Sequence, residues 1–234
     1  VDVDAARRAA GEAAVPLVED GMRVGLGTGT TARWFILGLA KRVREGLSVR
    51  AVATSMASAA LAAEHGIAVE ELGPDGLDLA VDGADSVDPW LRLIKGRGGA
   101  MLREKIVAAS AARFVVIVDD SKYMTQLSGR IPVEIIRFGG ARTLHALSER
   151  TSLDFAFRTA ADGALFITDN GNLVADSEFT DVADPETLAA EIASVPGAAG
   201  HGLFLGMADL VLVGHSDATV EQLSAPGDTV VTGG

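Results

Sequence analysis

Short continuous apolar runs alternate with segments of helical period along the first half of the chain. Residues 4–18 form an alanine-rich helix on this reading, perturbed or ended near Pro16, because proline lacks the N–H an inner turn needs. An apolar strand over 22–26 is followed at once by G-L-G-T-G-T-T-A, residues 25–32. A helix over 31–44 carries Trp34, Phe35, Leu37 and Leu39, with basic residues in its last turns, where the helix dipole favours them. Further strands are expected over 49–53, 77–81 and 114–118, and further helices over 58–65 and 101–112. Strands that read as unbroken apolar runs, each followed by a helix, predict a parallel sheet covered on both faces. Right-handed crossovers then bring every strand's carboxyl end to one rim, where ligands bind. The polar turns follow the strands: T-G-T-T, T-S, D-G-A-D and D-D-S-K in succession.

The pattern changes from Arg130. A strand over 131–138, a helix over 142–150 and a strand over 155–158 come first. Two strands, 165–168 and 173–175, flank D-N-G-N, whose Asn-Gly favours a hairpin through positive φ. Asp184-Pro185 marks a capped helix start, and a last short strand falls near 202–205. The order βαββαβ predicts a ferredoxin-like α+β lobe. An apolar strand over 209–213 returns to the first sheet. The expected architecture is an α/β, Rossmann-like, mostly parallel sheet with helices on both faces. Residues 1–129 and 207–234 form that domain, and 130–206 are an inserted lobe.

Composition narrows the function. The chain has 234 residues and a formal charge of −12, which disfavours a nucleic-acid partner. There is no cysteine, so thiolate nucleophiles, disulfides and cysteine-bound zinc are excluded. No apolar run approaches the roughly 20 residues of a membrane span, and V-D-V-D-A-A-R-R lacks the apolar core of a signal peptide. A soluble, cytoplasmic protein is the expectation.

The candidate chemistry gathers on the rim. Gly27 to Ala32 fits the loose dinucleotide pattern G-x-G-x-x-A, but Ala53-Thr54-Ser55 stand where the ribose-binding acid is required. A nicotinamide cofactor is therefore disfavoured. The loop reads equally as a phosphate cradle, with close backbone N–H groups, threonine hydroxyls and a helix N-terminus, or as a capped turn. Asp82 and Asp85 read as an acid/base pair or as an acidic turn, and their spacing is not that of a calcium loop, which disfavours a metal site. Lys95 precedes its glycines, unlike a Walker lysine, and suits stabilisation of an oxyanion. Glu104 has Ala100 and Ala108 at i−4 and i+4, which leaves room for a carboxylate facing a cleft, although Arg103-Glu104-Lys105 also reads as a solvated run. Lys122 follows a buried strand and reaches the same rim or stands exposed.

Together these stretches resemble ribose-5-phosphate isomerase of type A. The resemblance rests on G-L-G-T-G-T-T-A, V-D-G-A-D, I-K-G-R-G-G-A-M-L-R-E-K-I-V-A, D-D-S-K, P-V-E, T-D-N-G-N and V-P-G-A-A-G-H-G-L-F, in order from Gly25 to Phe204. It implies interconversion of ribose 5-phosphate and ribulose 5-phosphate through an enediolate, with no metal and no organic cofactor. It implies Glu104 as the proton-transferring base, Asp82 and Asp85 as acids serving the sugar oxygens, and Lys95 as the enediolate's counter-charge. Thr28, Gly29, Thr30, Thr31, Gly96, Gly98, Lys122 and Arg7 are the substrate-binding set it implies, and the assembly is a homodimer or homotetramer. Arg7 stands where the family often has lysine, Ser86 where an acid commonly follows D-G-A-D, and Arg97 within a run that is usually glycine.

Overall fold

The computed structural model describes residues 2–225. Asp2 opens helix α1 (Val3–Ala14) by accepting the N–H groups of Asp4 and Ala5. Around Pro16 the chain tightens into a 3-10 turn, Val15–Leu17, as the missing N–H requires. There follow β1 (Arg23–Leu26), α2 (Thr30–Arg44), β2 (Arg50–Ala53), α3 (Met56–Glu64) and β3 (Leu79–Asp82). Two short strands, β4 (Ser86–Val87) and β5 (Leu93–Ile94), precede α4 (Met101–Ala109) and β6 (Phe114–Asp119). After β7 (Ser128–Gly129) the lobe begins with β8 (Pro132–Ile135), α5 (Gly140–Thr151) and β9 (Phe155–Phe157). It continues through β10 (Leu173–Ser177), β11 (Thr180–Asp181), α6 (Pro185–Ala193) and β12 (Ala198–His201). Then come β13 (Leu203–Phe204), β14 (Leu210–Gly214) and β15 (Val220–Leu223).

The main sheet has the order β15-β14-β6-β3-β1-β2. All neighbours from β14 to β2 are parallel, and only β15 is antiparallel. Alternation along each strand feeds two cores. Val115 and Ile117 of β6 pack with α1, α2 and α3, whereas Phe114, Val116 and Val118 face the α4 side. From β1 the chain goes to β2 on one side, then crosses back to β3 on the other. That reversal makes the carboxyl ends of β1 and β3 the topological switch point, the place where an open α/β sheet leaves a crevice. The loops expected to carry the chemistry leave from these two ends.

The second sheet, β12-β8-β10-β9, is antiparallel throughout and has the ferredoxin-like order. Leu147 of α5 and Ile192 of α6 pack against one face with Val133 and Ile135. Helix α4 contacts β8 and β12, so it lies between the two sheets.

Several local expectations change. The lobe's last strand is β12, a run of small residues, and not the segment near 202–205. There, Leu203 and Phe204 pair with β5 and tie the returning chain to the Lys95 loop. The strand expected over 131–138 stops at Ile135, because the chain turns at Gly139, φ +68°, into α5 and leaves Phe138 exposed. Residues 165–168 make isolated bridges and no strand. In D-N-G-N the left-handed φ belongs to Gly171 alone, at +78°, with its N–H closing a turn onto the Thr168 carbonyl.

Candidate active site

A cleft of about 250 Å³ opens at the switch point, between the loop after β1, the D-G-A-D turn after β3, the Lys95 loop, α4 and the end of β6. Every catalytic and substrate-binding candidate from the sequence lines it or stands directly behind it. Arg7, Thr28, Gly29, Thr30, Thr31, Asp85, Lys95, Gly96, Gly98, Glu104 and Lys122 line the cleft, as do Arg97 and Asp119. Asp82 lies just beneath them.

At its floor is a buried charge cluster. Lys95, 2% exposed, places Nζ 3.1 Å from Asp82 Oδ2 and 3.5 Å from Glu104 Oε2, and donates to the Gly83 carbonyl. Glu104 is 5% exposed, so the solvated reading of Arg103-Glu104-Lys105 does not hold for its middle member. Asp82 Oδ1 accepts the N–H groups of Thr28, 3.0 Å, and Gly83, 2.7 Å, which pins the two loops together. Asp82 Oδ2 and Glu104 Oε2 have no hydrogen-bond partner among the described residues. One ammonium thus faces two carboxylates. Burial raises the Glu104 carboxyl to about 8, opposed by Lys95 and reinforced by Asp82 and Asp85. Burial also raises Asp82, against the pull of Lys95 and its backbone donors. For Lys95, burial alone would favour the neutral amine, but Asp82 and Glu104 outweigh it and the pKa is raised. The phenyl ring of Phe204 backs this ammonium, its centroid 5.5 Å from Lys95 Nζ and 4.8 Å from Lys105 Nζ. This gives part of the V-P-G-A-A-G-H-G-L-F motif a physical role.

The other end of the cleft suits an anion. No side chain caps α2; Gly29, φ +112°, precedes it, and its first intrahelical bond runs from Arg33 N–H to the Gly29 carbonyl, 3.0 Å. The N–H groups of Thr30 and Thr31 therefore stand at an open positive helix end. Gly27 is required there by close approach: a Cβ would lie 2.5 Å from Asp82 Cα. The Thr28 hydroxyl is committed behind the loop, 2.7 Å from Thr54 Oγ1 and 2.8 Å from Ser55 Oγ, and Ser58 donates to the Gly27 carbonyl. Arg7 is held by Asp119, Nε to Oδ2 3.1 Å. Sequence reasoning missed Asp119 as a cleft residue and the Thr54/Ser55/Ser58 cluster as a support. The T-S turn after the second strand was the signal for the latter.

Arg97 keeps its side chain exposed, so it does not crowd the loop. Its N–H donates to Asp85 Oδ2, 2.9 Å, and its carbonyl accepts from Arg158 Nη1, 2.9 Å. Arg158, bound through its Nε to Asp176, 2.7 Å, braces this loop from the lobe.

The fold and site define an α/β enzyme that sets an anion cradle against a buried acid, base and ammonium. Residues 50–218 match the model of a family described as Ribose 5-phosphate isomerase A (phosphoriboisomerase A). The chain belongs to that family. A curated relative from a Roseiflexus species, named Ribose-5-phosphate isomerase A, is 52% identical over 228 residues, covering 94% of this chain and 96% of the relative. The solved ribose 5-phosphate isomerase A of Methanocaldococcus jannaschii superposes with a TM-score of 0.88 at 39% identity, covering 93% of this chain and 97% of that one. A solved D-ribose-5-phosphate isomerase in complex with phospho-erythronic acid gives 0.90 at 36% identity, covering 96% of this chain and all of that one.

Proposed function

We infer that this enzyme interconverts D-ribose 5-phosphate and D-ribulose 5-phosphate, with Glu104 moving the proton between C2 and C1. The observation that carries the reading is the buried Lys95 ammonium held between Asp82 and Glu104, opposite the open start of α2. The phosphate sits at Thr30, Thr31, Lys122 and Arg7, with Gly29 and the Thr28 backbone shaping the cradle. Gly96 and Gly98 let the loop approach the sugar. Asp85 and Asp82 serve the sugar oxygens, assisting ring opening by taking the O1 proton as the ring oxygen gains one. Glu104 then removes the C2 proton of the open-chain aldehyde, and the electron pair passes through the new C1–C2 double bond to O1. Lys95 stabilises the resulting enediolate. Proton return from Glu104 to C1, with O1 protonated and O2 deprotonated, gives the ketose without net gain or loss. Binding energy at the remote phosphate positions the reacting carbons.

Two outcomes check the roles. Lys122→Ala is expected to raise KM about tenfold or more and to lower kcat by no more than about threefold, since one of several phosphate contacts contributes mainly uniform binding while the others keep the reacting carbons placed. An unchanged KM would remove Lys122 from the cradle. Glu104 acts as base only when ionised, and its pKa lies above the ordinary value. The rate therefore increases with pH, and kcat/KM should have an ascending limb centred near the Glu104 value of about 8. A limb centred near 4.5, the ordinary glutamate value, would show that burial does not raise the Glu104 carboxyl in the free enzyme.

The same proposal assigns the chemistry to residues 1–129 and 207–234 and treats 130–206 as an inserted lobe; positions 1 and 226–234 lie outside the described residues. A homodimer or homotetramer in the cytoplasm belongs to it as well. No helix among the described residues is long and apolar enough to cross a membrane.

A further inference from the structure

Two sequence motifs, P-V-E and T-D-N-G-N, contribute nothing to the cleft lining, yet they enclose a fully buried acid. Glu134 of β8 is 0% exposed. It lies opposite Val174 in the lobe sheet, on the face that packs with Met101 of α4 and away from α5 and α6. Its Oε1 accepts three neutral donors from one hairpin: Thr168 Oγ1 at 3.0 Å, Asn170 Nδ2 at 2.9 Å and Asn172 Nδ2 at 2.9 Å. Its Oε2 is buried without a hydrogen-bond partner among the described residues.

The hairpin tip reaches outward in two directions. Asn170 Oδ1 accepts from Arg103 Nε at 2.7 Å, and the Asp169 carbonyl accepts from Arg103 Nη2 at 3.0 Å. Asp169 Oδ2 accepts the N–H of Met56 at 2.7 Å. Arg103 is the residue before Glu104 on α4. Met56 opens α3, where Ser55 and Ser58 hold the Thr28 and Gly27 loop. One lobe hairpin therefore grips the helix that carries the base and the support of the phosphate cradle.

We propose that the Thr168–Asn172 hairpin, anchored on buried Glu134, is a positioning element that fixes the separation between Glu104 and the phosphate cradle. Asp169 and Asn170 are its positioning residues and do not contact substrate. The inference rests on the isomerase reading above. Each half of the site keeps its own contacts without the hairpin, but their spacing loosens. Misplacement by about 1 Å is enough to lower a rate by about 100-fold.

The test uses Asn170→Ala, Arg103→Ala and the double variant in the full chain, with rates normalised to active sites. Each single variant is expected to lose about tenfold or more in kcat. Inhibition by inorganic phosphate, which reports the cradle alone, stays unchanged. Phospho-erythronic acid, which must span cradle and catalytic cluster, binds more weakly in step with kcat. The double variant loses no more than the worse single, because both changes cut one link. Arg103→Lys recovers part of the loss by restoring the charge and a donor. Normal kcat per active site, equal weakening of both inhibitors, or fully additive losses would each overturn the proposal. Arg103→Ala leaves the hairpin sequence intact, so it remains informative if Asn170→Ala folds poorly. An inactive wild-type enzyme would instead contradict the isomerase reading.

Discussion

Glu104→Gln is expected to lower kcat by about 10²–10⁴-fold while the protein stays folded, the range over which a positioned general base contributes. Glutamine keeps the shape of the side chain and a polar contact to Lys95, but it cannot accept the C2 proton. The native carboxyl is buried and its pKa is raised, so removing its charge relieves a desolvation penalty. Thermal unfolding should therefore show no loss of stability. Inhibition by inorganic phosphate should also be unchanged, which separates a lost base from a lost cradle. A variant turning over near the wild-type rate would contradict the assignment of Glu104.

Lys95→Met should damage both function and stability. Methionine fills a similar volume but leaves Asp82 and Glu104 facing each other without the ammonium now 3.1 and 3.5 Å away. Losing the charge opposite the developing enediolate is expected to lower kcat by about 10²–10³-fold. Removing one member of a buried ion pair typically destabilises by about 3–5 kcal/mol. The loss has a defined pH dependence. Both acids already have raised pKa values through burial, and without Lys95, which opposes that rise, they move higher still. Below those values they are protonated and the clash disappears, so the variant's deficit in Tm should shrink as pH falls and widen as it rises. Because Glu104 already lies at about 8 with Lys95 present, the widening falls above that value, and equal Tm deficits at about pH 6 and pH 10 would argue that Lys95 is held by packing rather than by charge.

Much of this site was legible in the chain because its parts follow strands. A parallel sheet puts strand ends on one rim, so T-G-T-T, D-G-A-D and D-D-S-K had to converge, and they line one cleft. What the sequence could not show was burial. Arg103-Glu104-Lys105 has the appearance of a solvated run, and only the packing of α4 between two sheets encloses Glu104. Thr28 looked like a phosphate donor through its hydroxyl. Its partners, Thr54 and Ser55, come from a turn 26 and 27 residues away. Local patterns also failed at β12, whose Ala-Ala-Gly-His carries no β-branched side chain. They failed again at β4 and β5, which are only two residues long. The hairpin's hold on Arg103 spans 66 and 67 residues and depends on how the lobe docks. Its residues read locally as nothing more than a turn.

The decisive assay gives the purified enzyme a single sugar phosphate, in the presence of a chelator, and follows interconversion by NMR. The same equilibrium mixture is expected from ribose 5-phosphate and from ribulose 5-phosphate. Failure to interconvert the two in either direction would contradict it.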